Sequence, residues 1–458
     1  MNQIASATCR TTSAVAEYIS GCLARPLPAE VIQKSKCHLI DTVAAIVSGS
    51  QLKAGKVAAR FIVTLGGHNE ATVMGTEFVS SVVHAAFCNA MAAHADETDD
   101  SHLEGLFHPG CAIVPAAYAA AELEGKSGAD LLKAIALGYD IGARFNMSLG
   151  FSAPRSGTHS THSIGTLFGA AAASGALLNV TPEQAAFLLS YATQQASGVP
   201  YWNRDTDHIE KSFDFAGKGA KDGVFIALMI KSGFTGVVDS LVNKPSFLSA
   251  FAEHAKPEEL TRELGQRYEI MQASIKKWCV GSPIQAALDA LMALIETHDL
   301  KADQVEKIVA RMPDDRLHIV DNRDMPDICL QHLIAIGLLD HGLTFKSCHD
   351  KERMTDPAVL KLREKIEAVP DRMLTEAKPS RQAILEVTTT RREVLSHRTR
   401  AVLGTPDNPM SEDEISSKSF DLLAPVLGDK KAEVLLEALW SVESIEDVGA
   451  LRPLLLLN

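Results

Sequence analysis

The sequence lacks a basic stretch, a CxxC pair and any apolar run long enough for a membrane span, and it is poor in aromatic residues. Each absence removes a class of function. Lys and Arg number 44 against 57 Asp and Glu, a formal charge of −13, so the positive footprint that a nucleic-acid binder needs is missing. The same balance disfavours an anionic membrane surface. The longest apolar runs, such as VFIALMI at 224–230, fall far short of the ~20 residues that a bilayer requires. The eight cysteines (Cys9, Cys22, Cys37, Cys88, Cys111, Cys279, Cys329 and Cys348) nowhere form a CxxC pair. A zinc or iron–sulfur centre held by thiolates is therefore not expected, and most of the cysteines read as small buried hydrophobes. The first residues, MNQIASATCRTTS, have no basic start followed by an apolar block. No secretory signal is expected, and the expected location is cytoplasmic.

What is present is ample core material. Of 458 residues 46% are apolar and 22% charged, a globular balance with room for one to three domains. To about residue 270 the pattern is helix after helix. Val79, Val82, Val83, Ala86, Phe87, Ala90, Met91 and His94 form one apolar stripe of helical period. Residues 115–124, 128–139, 164–178 and 182–196 behave alike, the last opened by Thr181-Pro182 as N-cap and first turn. The run AAAASGA at 170–176 predicts closely approaching helix backbones.

Beyond residue 270 the character changes. Val305 to Met312 reads as a strand ending at Pro313, and 384–390 with 395–402 as a β-hairpin. Helices are expected at about 282–298, 328–340 and 356–368. Gly404 to Pro409 breaks the chain, after which Ser411 and Glu414 have the spacing of a capping box for a helical tail that includes Lys431 to Leu439. The expected fold is mainly α with an α+β part. A large all-helical domain is made of both chain ends (1–270 and 404–458), with a smaller α+β domain (271–403) inserted.

Four polar clusters can carry chemistry. The densest is His94-Ala-Asp96-Glu97-Thr98-Asp99-Asp100-Ser101-His102, followed by His108-Pro109-Gly110. Four acids in five positions repel one another, so this is either a solvated helix end or a place where cations compensate; a divalent-metal site is a third reading. In Arg155 to Gly165, Ser and Thr can cap a helix starting near Ile164, whose N-terminus suits a carboxylate, with His159 or His162 as general base. Lys211 lies beside Phe213 and Phe215, where partial desolvation would favour an anionic substrate. Arg323, in Asp321 to Asp327, has the fork to grip a carboxylate or to make a surface ion pair.

Taken in order, these motifs resemble the MmgE/PrpD family of 2-methylcitrate dehydratases, cis-aconitate decarboxylases and iminodisuccinate epimerases. The similar segments are His94 to His102, His108-Pro109 with Val114-Pro115-Ala116, Gly138-Tyr139-Asp140, and Gly157 to Thr161 with Gly165. Further on they are Lys211 before Gly223, Gly233-Phe234-Thr235-Gly236, Lys276-Lys277-Trp278-Cys279 leading to Asp289-Ala290, and Gly404 to Met410.

The resemblance implies a helical domain with an α+β lid, a cleft between them, a homodimer, and neither metal nor organic cofactor. It implies lyase or epimerase chemistry on a small anionic di- or tricarboxylate. His159 would be the principal acid/base, with Lys211 and His108 stabilising or protonating an enediolate-like anion. Glu97 stands at the family's first pocket Asp and Ser101 at its Thr. Asp99 and Asp100 would orient the cations, and Thr161, Gln285 and Arg323 complete the substrate-binding set. Departures are Glu97 itself, Gln285 where many members have a pocket His, and no Tyr between Val320 and Leu330. The spacing from Lys211 to Gly223 is also about one residue longer than in several relatives. Without that His and Tyr, cis-aconitate decarboxylation is disfavoured. The expectation is a dehydratase-like lyase, with epimerisation as the alternative, and a metal-dependent enzyme or a non-catalytic dicarboxylate binder as rivals.

Overall fold

In the computed structural model the described residues are 2–151, 159–200 and 202–457, with the side chains of 2–9 and 203 excluded. Arg155 to Thr158, part of the second cluster, lie outside them. By its contacts the chain divides into two units, one of 1–95, 99–273 and 412–458, the other of 96–98 and 274–411. The Gly404–Pro409 break does not end the second unit as expected. Ile275 N–H donates to Gly404 O (3.0 Å) and Gly404 N–H to Asn408 O (2.7 Å), which folds this turn back onto the unit's first residues.

The first unit is helical. Its centre is the helix Thr161–Leu177, buried continuously from Ser163 onward, as a helix without a polar face must be. Small residues let neighbours come close. A methyl group on Gly138, in the helix Gly128–Ser148, would stand 3.0 Å from Gly169 O, and one on Gly169 only 2.6 Å from Gly138 O. The two backbones therefore touch where side chains would otherwise separate them. The described cysteine side chains are all buried, and burial pushes the Cys22 and Cys88 thiols up to about 12. Among the described residues no helix is long and apolar enough to cross a membrane.

The second unit is built on a four-stranded sheet in the order Ile366–Asp371, Val305–Pro313, Ala383–Thr389, Val394–Thr399. The last two strands form the expected hairpin. Val305–Pro313 runs antiparallel to Ala383–Thr389 and parallel to Ile366–Asp371, so Ile308 faces both Val387 and Ile366. A parallel pair needs a long crossover, here supplied by the helices Leu330–Asp340 and Pro357–Arg363. The helix expected over 356–368 stops at Arg363, because Ile366 is already a sheet residue. Ala383, Leu385, Val387 and Thr389 alternate inward, the first three in one core with the helix Gln285–His298.

Gly169→Val should crowd the Gly138 contact and lower stability by about 1–3 kcal/mol, the range for overpacked cores. A thermal melt reads it; an unchanged melting temperature would show that the backbones have room to separate.

Candidate active site

The site begins where the helix Val82–Ala93 ends. Ser81 opens this helix by accepting the His84 N–H, which leaves Val79, the stripe's expected first member, in the short strand Val79–Ser80. After His94 the chain turns, and Thr98 donates its N–H and hydroxyl to the two carboxylate oxygens of Asp96 (2.8 and 2.9 Å). The acidic run is not a solvated helix end. Asp96 and Glu97 are 5% and 6% exposed, Asp99 and Asp100 0%. Burying a carboxylate without compensation is prohibitive, so each must have a partner, and each does.

Asp99 Oδ2 bridges two imidazoles, His94 Nδ1 at 2.9 Å and His108 Nδ1 at 3.2 Å. The carboxylate therefore orients the His108 ring through Nδ1. Asp100 Oδ2 receives the Tyr139 hydroxyl (2.5 Å) and His38 Nδ1 (2.7 Å), while Oδ1 accepts the Gly110 N–H (2.9 Å). Only glycine fits at 110, where a methyl group would meet Thr42 Oγ1 and Tyr139 OH at 2.7 Å. Burial keeps His38 below the ordinary imidazole range, so it is a neutral donor here. Burial also pushes the Asp100 carboxyl up, but its donors outweigh that and hold it low. Asp100, expected among the substrate contacts, is thus turned inward as the strut behind the helix Gly110–Leu123, directly after His108-Pro109.

Facing this is an aromatic wall. Residues 213–217 form a π-helical turn between the helices Ile209–Ser212 and Lys218–Lys231. A π turn takes one residue more than an α turn. It delivers Phe215, stacked on His162 (3.6 Å between ring centres) and on His94 (4.4 Å). Lys211 Nζ lies 5.2 Å from the centre of Phe215 and 5.5 Å from that of Trp202, within cation–π range. His108 meets His162 at 5.5 Å. Part of the His162 surface still meets solvent, yet its ring is shielded by these neighbours. That desolvation, with His108, His94 and Lys211 nearby, holds its pKa well below the ordinary value, so it is neutral. His94 Nε2 and His162 Nδ1 have no hydrogen-bond partner among the described residues.

Of the two candidate bases, the structure therefore stacks His162 on Phe215 beside His108, while His159 packs edge-on against Phe251 (5.3 Å). Ser160 caps the helix that carries Thr161 and His162, and its hydroxyl donates to Asp214 (2.5 Å). Burial pushes that carboxyl up to about 6. The Thr161 hydroxyl is given to Leu106 O (2.6 Å), and Ser101 is buried.

The remaining sequence candidates belong to the second unit. Lys276 Nζ grips Glu97 through its carbonyl (2.7 Å) and its carboxylate (3.5 Å). Gln285, expected to face substrate, spends its amide on backbone: Oε1 accepts Trp278 N–H, and Nε2 donates to Trp278 O and Val280 O. Arg323 is half-buried in the loop before the turn Pro326–Ile328. Sequence reasoning missed His38, Tyr139, Asp214 and His349 as partners of the acids and caps. Each lies far along the chain from the acid or cap it serves, so no local pattern links the two.

His94, Asp99 and Cys111 bring three donor atoms within 4.8 Å of one another, a set that suits a borderline cation. His94 and Asp99 already bond each other, however, and the Cys111 thiol donates to His108 O (3.1 Å), so hydrogen bonding accounts for their approach.

The site thus brings imidazoles held by a buried carboxylate beside a lysine on an aromatic wall. Residues 13–260 match the model of the MmgE/PrpD N-terminal domain and residues 278–444 that of the MmgE/PrpD C-terminal domain. The chain belongs to the MmgE/PrpD family, whose members include lyases. It is similar to the cis-aconitate decarboxylase of Homo sapiens, 25% identical over 469 residues, 97% of this chain and 94% of that one. The cis-aconitate decarboxylase-like protein oryM of Aspergillus oryzae is 28% identical over 291 residues, 59% of this chain and 58% of that one. The mitochondrial 2-methylcitrate dehydratase of Yarrowia lipolytica is 24% identical over 211 residues, 44% of this chain and 40% of that one. The matches thus span less than two thirds of either fungal protein.

Asp100→Ala should cost about 3–5 kcal/mol, since it strands the His38, Tyr139 and Gly110 donors. Because the Asp100 pKa is depressed in the folded state, its contribution is present above the ordinary carboxyl value and fades as pH falls through the lowered one. Denaturant melts should show the gap between wild type and variant closing as the medium is acidified; a gap independent of pH would contradict the assignment.

Proposed function

We propose that this protein is a dehydratase-like lyase acting on a small di- or tricarboxylate. A base removes the proton next to a carboxylate, the electron pair forms a carbon–carbon double bond, and the β-hydroxyl leaves as water after protonation. The observation that carries this reading is that His108, held through Nδ1 by Asp99, and Lys211 both lie against Phe215. Such a pair meets an enediolate-like anion with donors placed in advance. His159 is assigned as principal acid/base from its family motif, with Lys211 and His108 on the developing charge and Glu97, gripped by Lys276, among the substrate contacts. Epimerisation begins with the same proton removal. It is favoured as the second reading by Gln285, whose amide is committed to backbone and offers no proton to a leaving group. A cytoplasmic homodimer is part of the proposal; Phe61, Leu65 and Phe225 on the first unit, each about half exposed, supply apolar surface for a second copy.

Incubating the protein with a panel of di- and tricarboxylates in heavy water, followed by NMR, tests the reading. Deuterium next to a carboxyl group, with loss of water, supports the lyase; deuterium with inversion and no loss of water supports the epimerase. His159→Ala and Lys211→Ala should each lower turnover at least ~10²-fold with little change in melting temperature. Normal turnover in both would refute the site.

Exhaustive chelation should leave activity unchanged, because hydrogen bonds already account for the approach of His94, Asp99 and Cys111. Activity lost to chelator and restored by a divalent metal would revive the metal-dependent rival.

A further inference from the structure

The second unit contains a charged cluster that the proton-transfer reading leaves unused. His349 closes the one-turn helix Phe345–His349, and its side chain is only 15% exposed. Nδ1 lies 2.8 Å from Phe345 O, and Nε2 lies 3.0 Å from Asp96 Oδ2. A carbonyl has no proton to give. Asp96 already takes the Thr98 N–H on one oxygen and the Thr98 hydroxyl on the other, so it is an ionised acceptor. Both ring nitrogens must then carry hydrogen, and the ring is an imidazolium. The Nε2–Oδ2 contact is short but off the line of a straight hydrogen bond, so it acts chiefly as an ion pair.

The turn that Asp96 makes with Thr98 has Glu97 at its middle, and Lys276 holds Glu97 from another side. We propose that His349 is a positioning residue whose ion pair with Asp96 anchors the Asp96–Thr98 turn and so aims the Glu97 carboxylate. This rests on the reading of Glu97 as a substrate contact. Gln285 does not compete for this role, because its amide braces the Trp278–Val280 loop through backbone bonds.

The groups around the ring agree with its charge. Asp96 and Glu97 come from the turn, Asp327 from Pro326–Ile328, Lys276 from beside Glu97, and the Cys279 and Cys348 thiols lie close by. Burial disfavours the imidazolium, but Asp96 and Asp327 overcome it and raise the pKa to about 9. Burial pushes the Asp327 carboxyl up to about 6. A raised imidazole pKa stabilises the anchored turn fully below the ordinary value of 6.5, and that contribution is lost as pH rises through about 9.

The test combines two readouts. In 15N-histidine NMR of the full chain, the signals absent from H349Q should show both nitrogens protonated at neutral pH and titrate near 9. D96N should lower that midpoint by about one unit or more. With an acid that the wild type turns over, H349Q should lose ~10-fold to 10²-fold in kcat/KM, the scale of a small misplacement, with its alkaline limb near pH 9 gone. H349K, which restores the charge, should recover most of the loss and move that limb upward. Titration of His349 near 6.5, whatever the activity, would overturn the positioning role, and so would equal impairment of H349Q and H349K. Titration near 9 in a wild type that exchanges no proton with any acid of the panel would leave the anchor standing and sink the functional reading instead.

Discussion

A carboxylate taken out of water must be given donors in its place, and this constraint organises the molecule. Four acids fall within five positions of the chain, and all four are buried. Asp96 is matched by His349, Glu97 by Lys276, Asp99 by two imidazoles, and Asp100 by Tyr139, His38 and a helix N–H. Each acid is met by its own donors among these contacts, which pins the register of the segment. A shift by a single residue would leave several charges uncompensated at several kcal/mol each. Such a segment places His94 and His108 reproducibly without relying on helix propensity.

How much of this was legible beforehand depends on the distance over which each interaction acts. Helical stripes, the Thr181-Pro182 helix start and the hairpin strand expected at 384–390 are local, and they were readable to within a few residues. The errors lie where tertiary pairing decides: Val79 joins a two-residue strand, and the chain leaves its helix at Arg363 to pair Ile366 with Ile308. In the site, the residue types were visible as polar runs, and the need for compensating cations followed from repulsion alone. The identity of the compensators was not. His38 lies 62 positions before Asp100, within an apolar helix, and no local pattern marks it. The inward turn of Asp100 and the backbone bonds of Gln285 were hidden for the same reason, since a polar side chain near a pocket looks alike whether it faces substrate or loop.

The π turn at Phe213–Gly217 shows how one extra residue can serve a site. Inserted into a regular helix, it would rotate every later side chain by about 100° relative to its neighbours. Confined to a wider turn, it displaces the register locally and leaves the buried face of Lys218–Lys231 intact. Phe215 lies inside that turn, stacked on two imidazoles. The wall that desolvates His162 and carries Lys211 is therefore made by the irregularity itself.

Charge distribution then narrows what the cluster can do. If His94, His108, His162 and Lys211 were all cationic, their mutual repulsion at these separations would be relieved only by a permanently bound anion, and no proton acceptor would remain. The structure avoids this by holding His162 neutral through desolvation. It also sets the Asp99 carboxylate between His94 and His108, where it offsets positive charge on either ring. In the proposed reading, Lys211 and the His108 edge meet negative charge as it develops, beside the neutral ring of His162. An arrangement of this kind stabilises an anion formed by proton loss more than the uncharged carbon acid before it, and that difference, rather than tight binding of the substrate, is what accelerates a reaction.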